Sequence, residues 1–402
     1  MASLASAAPP LPAKDRSGLV QGVVRHFTPN WFTVTMGTGA LALALNALPG
    51  THAVLHGVAV VLWLANIGLF ALFTALYGAR WMLFPHEAAC IFAHPVMSMF
   101  FGAIPMGLAT ILNGVLAFGP AFIGAAAVPV ATALWWADAG LAVLCGLAIP
   151  YCMMTRQDHA LESLTAVWLL PIVACEVAAV SAALLAPHLP ASDAFAYVML
   201  GYVLWALSVP LALSLLALLF LRLALHKLPP AEMGVTGWLA LGPIGTGALA
   251  LVLLGAAAPG PFAAHGLEEV GRIAAGVGVL GGLLLWGYGA WWLMLAVLAT
   301  LRYLRAGLPF NLGWWGFTFP LAVYALATLA LGHATGFALF TTGGTVLVGA
   351  LAALWILVAG RTARGAWRCE LFASPCIGAA ARPRAQAAAG AANASVVEIT
   401  DA

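Results

Sequence analysis

The chain has 402 residues, 64% of them apolar and only 7% charged, with a net charge of +2 and a mean hydropathy of +1.03. An ordinary soluble domain is roughly one-quarter charged residues. This chain has too few polar groups to cover a water-facing surface, which excludes a soluble globule and leaves lipid as the solvent for its exterior.

The first 27 residues are rich in Ala and Pro and carry Lys14, Asp15, Arg16 and Arg25. They read as a disordered arm without the apolar core of a cleaved signal. Ten apolar runs follow, each long enough to span a bilayer. They cover 28–48, 53–77, 94–116, 128–150, 163–186, 195–221, 235–257, 272–300, 314–333 and 338–360. Residues 28–360 thus form one all-α transmembrane domain, its short connections making consecutive helical hairpins. Residues 361–402 read as a low-complexity tail.

Cations set the orientation. With ten spans, every Lys and Arg except Arg272 falls on one side, and Arg272 stands beside Glu268 and Glu269. Such residues collect in the cytoplasm. The expectation is a polytopic protein of the cell membrane with both termini cytoplasmic. An odd number of spans would scramble this sorting.

The odd-numbered runs share a repeat. The first carries Gly37, Thr38 and Gly39; the third, fifth, seventh and ninth carry Pro105, Pro171, Pro243 and Pro320. Counted from Gly37, the intervals are 68, 66, 72 and 77 residues, each about one hairpin. Proline removes a backbone hydrogen bond and kinks a helix. Freed backbone groups at membrane depth are tolerated where they are packed in protein or line a wet cavity. The spacing predicts an inner ring of odd helices around the transport path and an outer ring of even ones. Pro210, in the sixth run, breaks the rule, and close packing is the plainer use of any one glycine.

HFTPNWFTVTMGTGALALAL (His26 to Leu45) resembles the first helix of the tellurite-resistance/dicarboxylate transporter (TDT) family. That family spans bacterial TehA proteins, fungal malate permeases, fungal sulfite pumps and plant slow anion channels. HPVMSMFFGAIPMG (His94 to Gly107), LWWAD (Leu134 to Asp138), WLLPIV (Trp168 to Val173) and PFNLGWWGFTFP (Pro309 to Pro320) extend the likeness across 26–360. The resemblance implies five hairpins in quasi-fivefold order around a central pore, often as a homotrimer. It also implies movement of a small anion, a C4-dicarboxylate such as malate or sulfite, without ATP, or a gated monovalent-anion channel of the TehA type. The pore-blocking aromatic of the channel members matches Phe319, with Phe317 as competitor. An aromatic ring closes a narrow pore sterically and by dewetting.

Two carboxyl groups lie within spans. Glu176 is costly at membrane depth and is a functional candidate by default; we read it as a site that couples proton binding to anion passage, with a packing role as the alternative. Asp138 reads as a structural contact. Apart from Arg272 at the very start of the eighth run, no Lys or Arg lies within a span, so an anion would depend on helix-end dipoles and on hydroxyls such as Thr33, Thr35, Thr38, Thr246 and Thr318. Arg80 and Arg156 are candidate cations of a cytoplasmic vestibule, and His94 is a candidate pH-responsive group. His52 and His56 have i, i+4 spacing but no third ligand, so no metal is expected. All six cysteines read as reduced. No phosphate loop, cofactor fingerprint, nucleophile elbow or nucleic-acid motif occurs. A membrane enzyme or sensor would need polar residues clustered at one depth, and the sequence offers only isolated acids.

Overall fold

The computed structural model describes residues 16–50, 53–374 and 377. The parts of the arm and tail outside those ranges, with Lys14, His52 and Cys376, lie outside the described residues. Ten long helices follow one another: α1 (Phe32–Asn46), α2 (Ala53–Leu83), α3 (Ala103–Phe118), α4 (Ala127–Thr155), α5 (Leu170–Leu185), α6 (Ala191–His226), α7 (Leu241–Ala257), α8 (Glu268–Ala306), α9 (Phe319–Thr335) and α10 (Ala338–Trp367). Among the described residues there is no strand. Nine of the ten, counted with the 3-10 turns that lead into them, are long and apolar enough to cross a membrane. The exception is α1. Its 15 residues rise only about 22 Å against a hydrocarbon core of about 30 Å. The 3-10 turn Pro29–Trp31 in front of it adds about 6 Å.

Buried and lipid-facing helices alternate. The most apolar stretches of the spans holding α3, α5, α7 and α9 are 72%, 94%, 89% and 89% buried; those of α2, α4, α6, α8 and α10 are 22–33% buried. In α1 every residue is buried but Leu43 and Asn46. The buried helices touch in a closed circuit: α1 packs on α3, α3 on α5, α5 on α7, α7 on α9, and α9 on α1. Each peripheral helix lies against two consecutive members of that circuit; α10 closes the set between α9 and α1. Composition explains the split. Peripheral helices present large apolar side chains outward, such as Leu72, Leu144, Leu284 and Ile356, where lipid is as good a solvent as a protein core. Buried helices rely on small residues to bring backbones together. A methyl group on Gly245 would lie 2.8 Å from the backbone nitrogen of Tyr324 in α9, and one on Gly107 would lie 2.6 Å from Thr35 Oγ1 in α1.

The prolines do something other than kink. Each buried helix is entered through a 3-10 stretch: Pro29–Trp31, Met97–Gly102, Ala166–Leu169, Ala231–Ala240 and Leu312–Phe317. Pro105, Pro171, Pro243 and Pro320 stand second or third in the α-helix that follows. In the first turn of an α-helix the missing N–H costs little. These prolines therefore mark a change of helix type. The interior prolines are Pro150 and Pro210, both in peripheral helices.

A second repeat, in tryptophan, ties the periphery to the buried helices. The indole N–H of Trp63 (α2) donates to the Ile111 carbonyl (α3) at 3.1 Å, Trp135 (α4) to Ala178 (α5) at 2.9 Å, and Trp205 (α6) to Gly247 (α7) at 3.0 Å. Trp286 (α8) donates to Thr328 Oγ1 (α9) at 2.8 Å, and Trp355 (α10) to Thr38 Oγ1 (α1) at 3.1 Å. Every peripheral helix thus contributes one such bond to the next buried helix around the circuit.

The arm and tail carry more structure than their composition suggests. Arg16–His26 is helical and α10 runs on to Trp367. Arg25 pairs with Glu87 at 2.6 Å, and Phe372 stacks on Trp31 with ring centroids 4.8 Å apart.

Candidate functional site

Each of the five buried helices contributes side chains to two spaces between them. Near their N-terminal ends a void of only ≈10 Å³ is enclosed by Met36, Met106, Val173, Gly242 and Phe319, one from each helix, with Leu169, Leu170, Leu239 and Pro320 completing the wall. That is at the limit for a single water molecule, so the helices meet in a closed waist here. Seven residues further along each helix come Leu43, Asn113, Val180, Leu249 and Leu326, and these line a cavity of ≈450 Å³. Seven residues are about two turns, or about 10 Å along the same face. The wide cavity is lined mostly by apolar side chains, with polar groups from Asn46, His188 and His333 and from Asn113, which is buried level with the apolar stripe. No Lys, Arg, Asp or Glu lines either space.

Phe319 is 3% exposed and faces the closed waist; Phe317, equally buried, packs edge-on against Trp238 and Trp314 instead. Of the sequence candidates, Phe319 and Pro320 meet at the waist, beside Gly242, which the sequence reading did not single out. Pro105, Pro171 and Pro243 stand next to waist residues in sequence. Gly37 and Gly39 face neighbouring helices: a methyl on Gly37 would run into Thr318 and Trp315, and one on Gly39 into Thr110 and Asn66. Three of the five candidate threonines serve the backbone, while the Thr246 hydroxyl in α7 is buried without a hydrogen-bond partner among the described residues. Thr33, Thr35 and Thr318 donate to carbonyl oxygens three residues back, and Thr38 accepts from Trp355. The four remaining waist residues besides Phe319 are Met, Val and Gly, and no local sequence signal separates them from ordinary core.

The two acids lie off the axis. Glu176 (α5) and Asp138 (α4) are fully buried, and neither carboxyl group has a hydrogen-bond partner among the described residues. Glu176 Oε2 lies 3.4 Å from where a methyl on Gly247 of α7 would sit, which places it at the α5–α7 contact.

Arg80 is fully buried, with its guanidinium donating to the Phe27 carbonyl and, at 3.1 Å, to Ser374 Oγ. It holds the arm and tail against α2 and does not stand in an open vestibule. Arg156 is exposed at the end of α4. His56 Nδ1 lies 3.0 Å from Asn46 Oδ1. Among the described residues no cluster of His, Cys, Asp or Glu could hold a metal ion, and the described cysteines are free thiols.

His94 precedes the 3-10 turn into α3, and its Nδ1 accepts from the N–H groups of Val96 at 3.2 Å and Met97 at 3.1 Å. Burial lowers its pKa below the ordinary imidazole value, opposed in part by a hydrogen bond to its own backbone. Because the folded state favours the neutral ring, the stability it contributes is complete above about pH 6.5 and is lost as pH falls through the lower folded value. Thermal unfolding in detergent between pH 7.5 and 5 should therefore show a stability loss that is reduced in His94→Asn, whose side-chain oxygen can still accept. An identical pH slope in the two proteins would refute this role.

Comparison with known proteins adds to the geometry. The family model described as voltage-dependent anion channel matches residues 26–363. A sulfite efflux pump of Arthroderma otae is 37% identical over 354 residues, covering 87% of this chain and 93% of that protein. A protein of Methanocaldococcus jannaschii described as an uncharacterized transporter is 28% identical over 356 residues, covering 88% of this chain and 98% of that protein. The malic acid transport protein of Schizosaccharomyces pombe is 23% identical over 342 residues, covering 83% and 77%.

Proposed function

From the premise that this chain belongs to the voltage-dependent anion channel family, we propose that it passes small oxyanions, sulfite foremost, along the axis of the five buried helices, without ATP. The protein is an integral membrane anion transporter and not an enzyme. The observation that carries the proposed path is the stripe of five residue pairs, seven apart, that lines first the closed waist and then the wide cavity. Sulfite is favoured over malate because the sulfite pump matches at 37% identity and the malic acid transporter at 23%. A path without fixed charges holds an anion weakly and releases it quickly, which suits conduction.

The same reading includes ten spans in five hairpins of quasi-fivefold order, odd helices inside and even ones outside, with both termini cytoplasmic and three copies assembled. The closed circuit of buried helices supports the ring, and the one-sided cations support the orientation. Gly37, Thr38 and Gly39 are wall elements. Pro105, Pro171, Pro243 and Pro320 set where the wall turns from 3-10 to α, and Arg156 is the candidate vestibule cation. Proteoliposomes tested with sulfite, malate and chloride, with and without a pH gradient, should show sulfite flux as the largest. Flux of none of the three would refute the reading.

Glu176 is the proposed proton-coupling group. An unpartnered carboxyl group beside the path can exchange a proton without entering it, whereas an anionic one on the axis would repel the substrate. In Glu176→Gln the dependence of flux on a pH gradient should fall to background while the folded yield is kept. A full pH dependence in that variant would assign Glu176 to packing.

A further inference from the structure

A second opening lies away from the central path. Between the C-terminal halves of α6 and α8 a slot of ≈400 Å³ faces sideways, within the range of roughly 300–1,000 Å³ typical of ligand pockets. Trp292 and Ala296 form its floor; Leu219 and Phe220 line one wall and Leu295 and Leu298 the other. Phe220 and Leu298 are exposed at the rim, where the neighbouring solvent is hydrocarbon. Two hollows of ≈450 and ≈500 Å³ adjoin the slot at the ends of the same helices, all three sharing Arg302 and the hollows bringing in Arg305 and Lys227.

The cations there differ in how they are engaged. Arg222 gives its donors to the carbonyl oxygens of Glu162 and Lys227, and Lys227 Nζ donates to Ala224. Arg302 and Arg305 form no hydrogen bond or ion pair among the described residues, and no acidic side chain lines any of the three spaces. An apolar slot at membrane depth, ending in two uncommitted guanidinium groups where the span ends, matches one kind of molecule. It has a hydrocarbon chain and a negatively charged head at the interface, and basic pockets between membrane helices bind such heads. A soluble anion would use the arginines but leave the apolar walls unmatched.

We propose that this slot seats a phospholipid with an anionic headgroup, one acyl chain between α6 and α8 and the phosphate against Arg302 and Arg305. The test uses the full chain in neutral detergent and native mass spectrometry with phosphatidylglycerol and phosphatidylcholine of identical chains. Wild type should retain phosphatidylglycerol about thirtyfold more tightly, as two interfacial cations imply. R302Q/R305Q should abolish the preference while keeping the residual binding common to both lipids. Ala299→Phe, which fills the slot, should weaken both lipids alike. Both variants alter the outer surface of α8 and should unfold at the wild-type temperature. Equal affinity for the two lipids, a preference that survives R302Q/R305Q, or displacement of phosphatidylglycerol by inorganic phosphate would each overturn the proposal. So would lipid-independent burial of the slot by a second copy, read as cross-linking through Leu298→Cys. None of these readouts depends on transport.

Discussion

Replacing Phe319 by alanine should raise anion flux through reconstituted protein by about tenfold or more, because on the proposed path the ring borders the narrow waist. The waist holds ≈10 Å³, and removing a phenyl ring adds room for several water molecules. Once the waist is wetted, the remaining wall of Met36, Met106, Val173 and Gly242 offers no charge to stop an anion. The usual cost of a Phe→Ala change in a core is about 3–5 kcal/mol, but here water can enter the space, so the folded yield should fall less than that figure suggests. Phe317→Ala is the control. That ring packs between Trp238 and Trp314, so its loss should reduce stability without opening the path. Reduced or unchanged flux in folded Phe319→Ala protein would show that the constriction lies elsewhere.

Gly245→Ala should destabilise the protein by about 3 kcal/mol, the upper part of the range for overpacking, whereas Gly242→Ala, one helical turn earlier, should fold normally. The added methyl at 245 would lie 2.8 Å from the backbone nitrogen and 2.9 Å from the Cα of Tyr324. Backbone of a helix cannot step aside as a side chain can. At 242, beside the waist, the methyl meets nothing within 4 Å. Thermal denaturation in detergent should separate the two by about 4 °C. Gly242→Ala placed in the Phe319→Ala background should lower the raised flux. If the two alanines have equal stability, the close contact of α7 and α9 does not support the fold as described.

The greasy runs and the alternation of two helix classes are legible from composition and spacing because lipid imposes length and periodic Gly and Pro impose packing. Phe319 is legible only through a family motif; its neighbours Met36, Met106 and Val173 are chemically indistinguishable from core residues and gain meaning when five helices converge. The role of Arg80 is illegible for a related reason. A cation at the end of a span sets topology in most proteins, and its partners here, Phe27 and Ser374, lie 53 and 294 residues away in the chain. The prolines misled because sequence shows that a helix is interrupted but not whether it bends or changes type. The tryptophans at 63, 135, 205, 286 and 355 recur at intervals of 72, 70, 81 and 69 residues. That signal was available, but it is masked by ten other tryptophans in the chain.

Those five indole bonds set limits on how the protein can work. Sliding a wall helix by one turn would strand an N–H donor in hydrocarbon, at several kcal/mol for each bond lost. The wall is therefore costly to displace, and the cheap coordinate at the waist is the torsion of a side chain. On the proposed path with Phe319 as its gate, conductance becomes a matter of occupancy: the fraction of time one ring spends swung aside, with each 1.4 kcal/mol of bias worth about a factor of ten. A barrel anchored at every stave can be tuned over orders of magnitude by whatever shifts that single equilibrium.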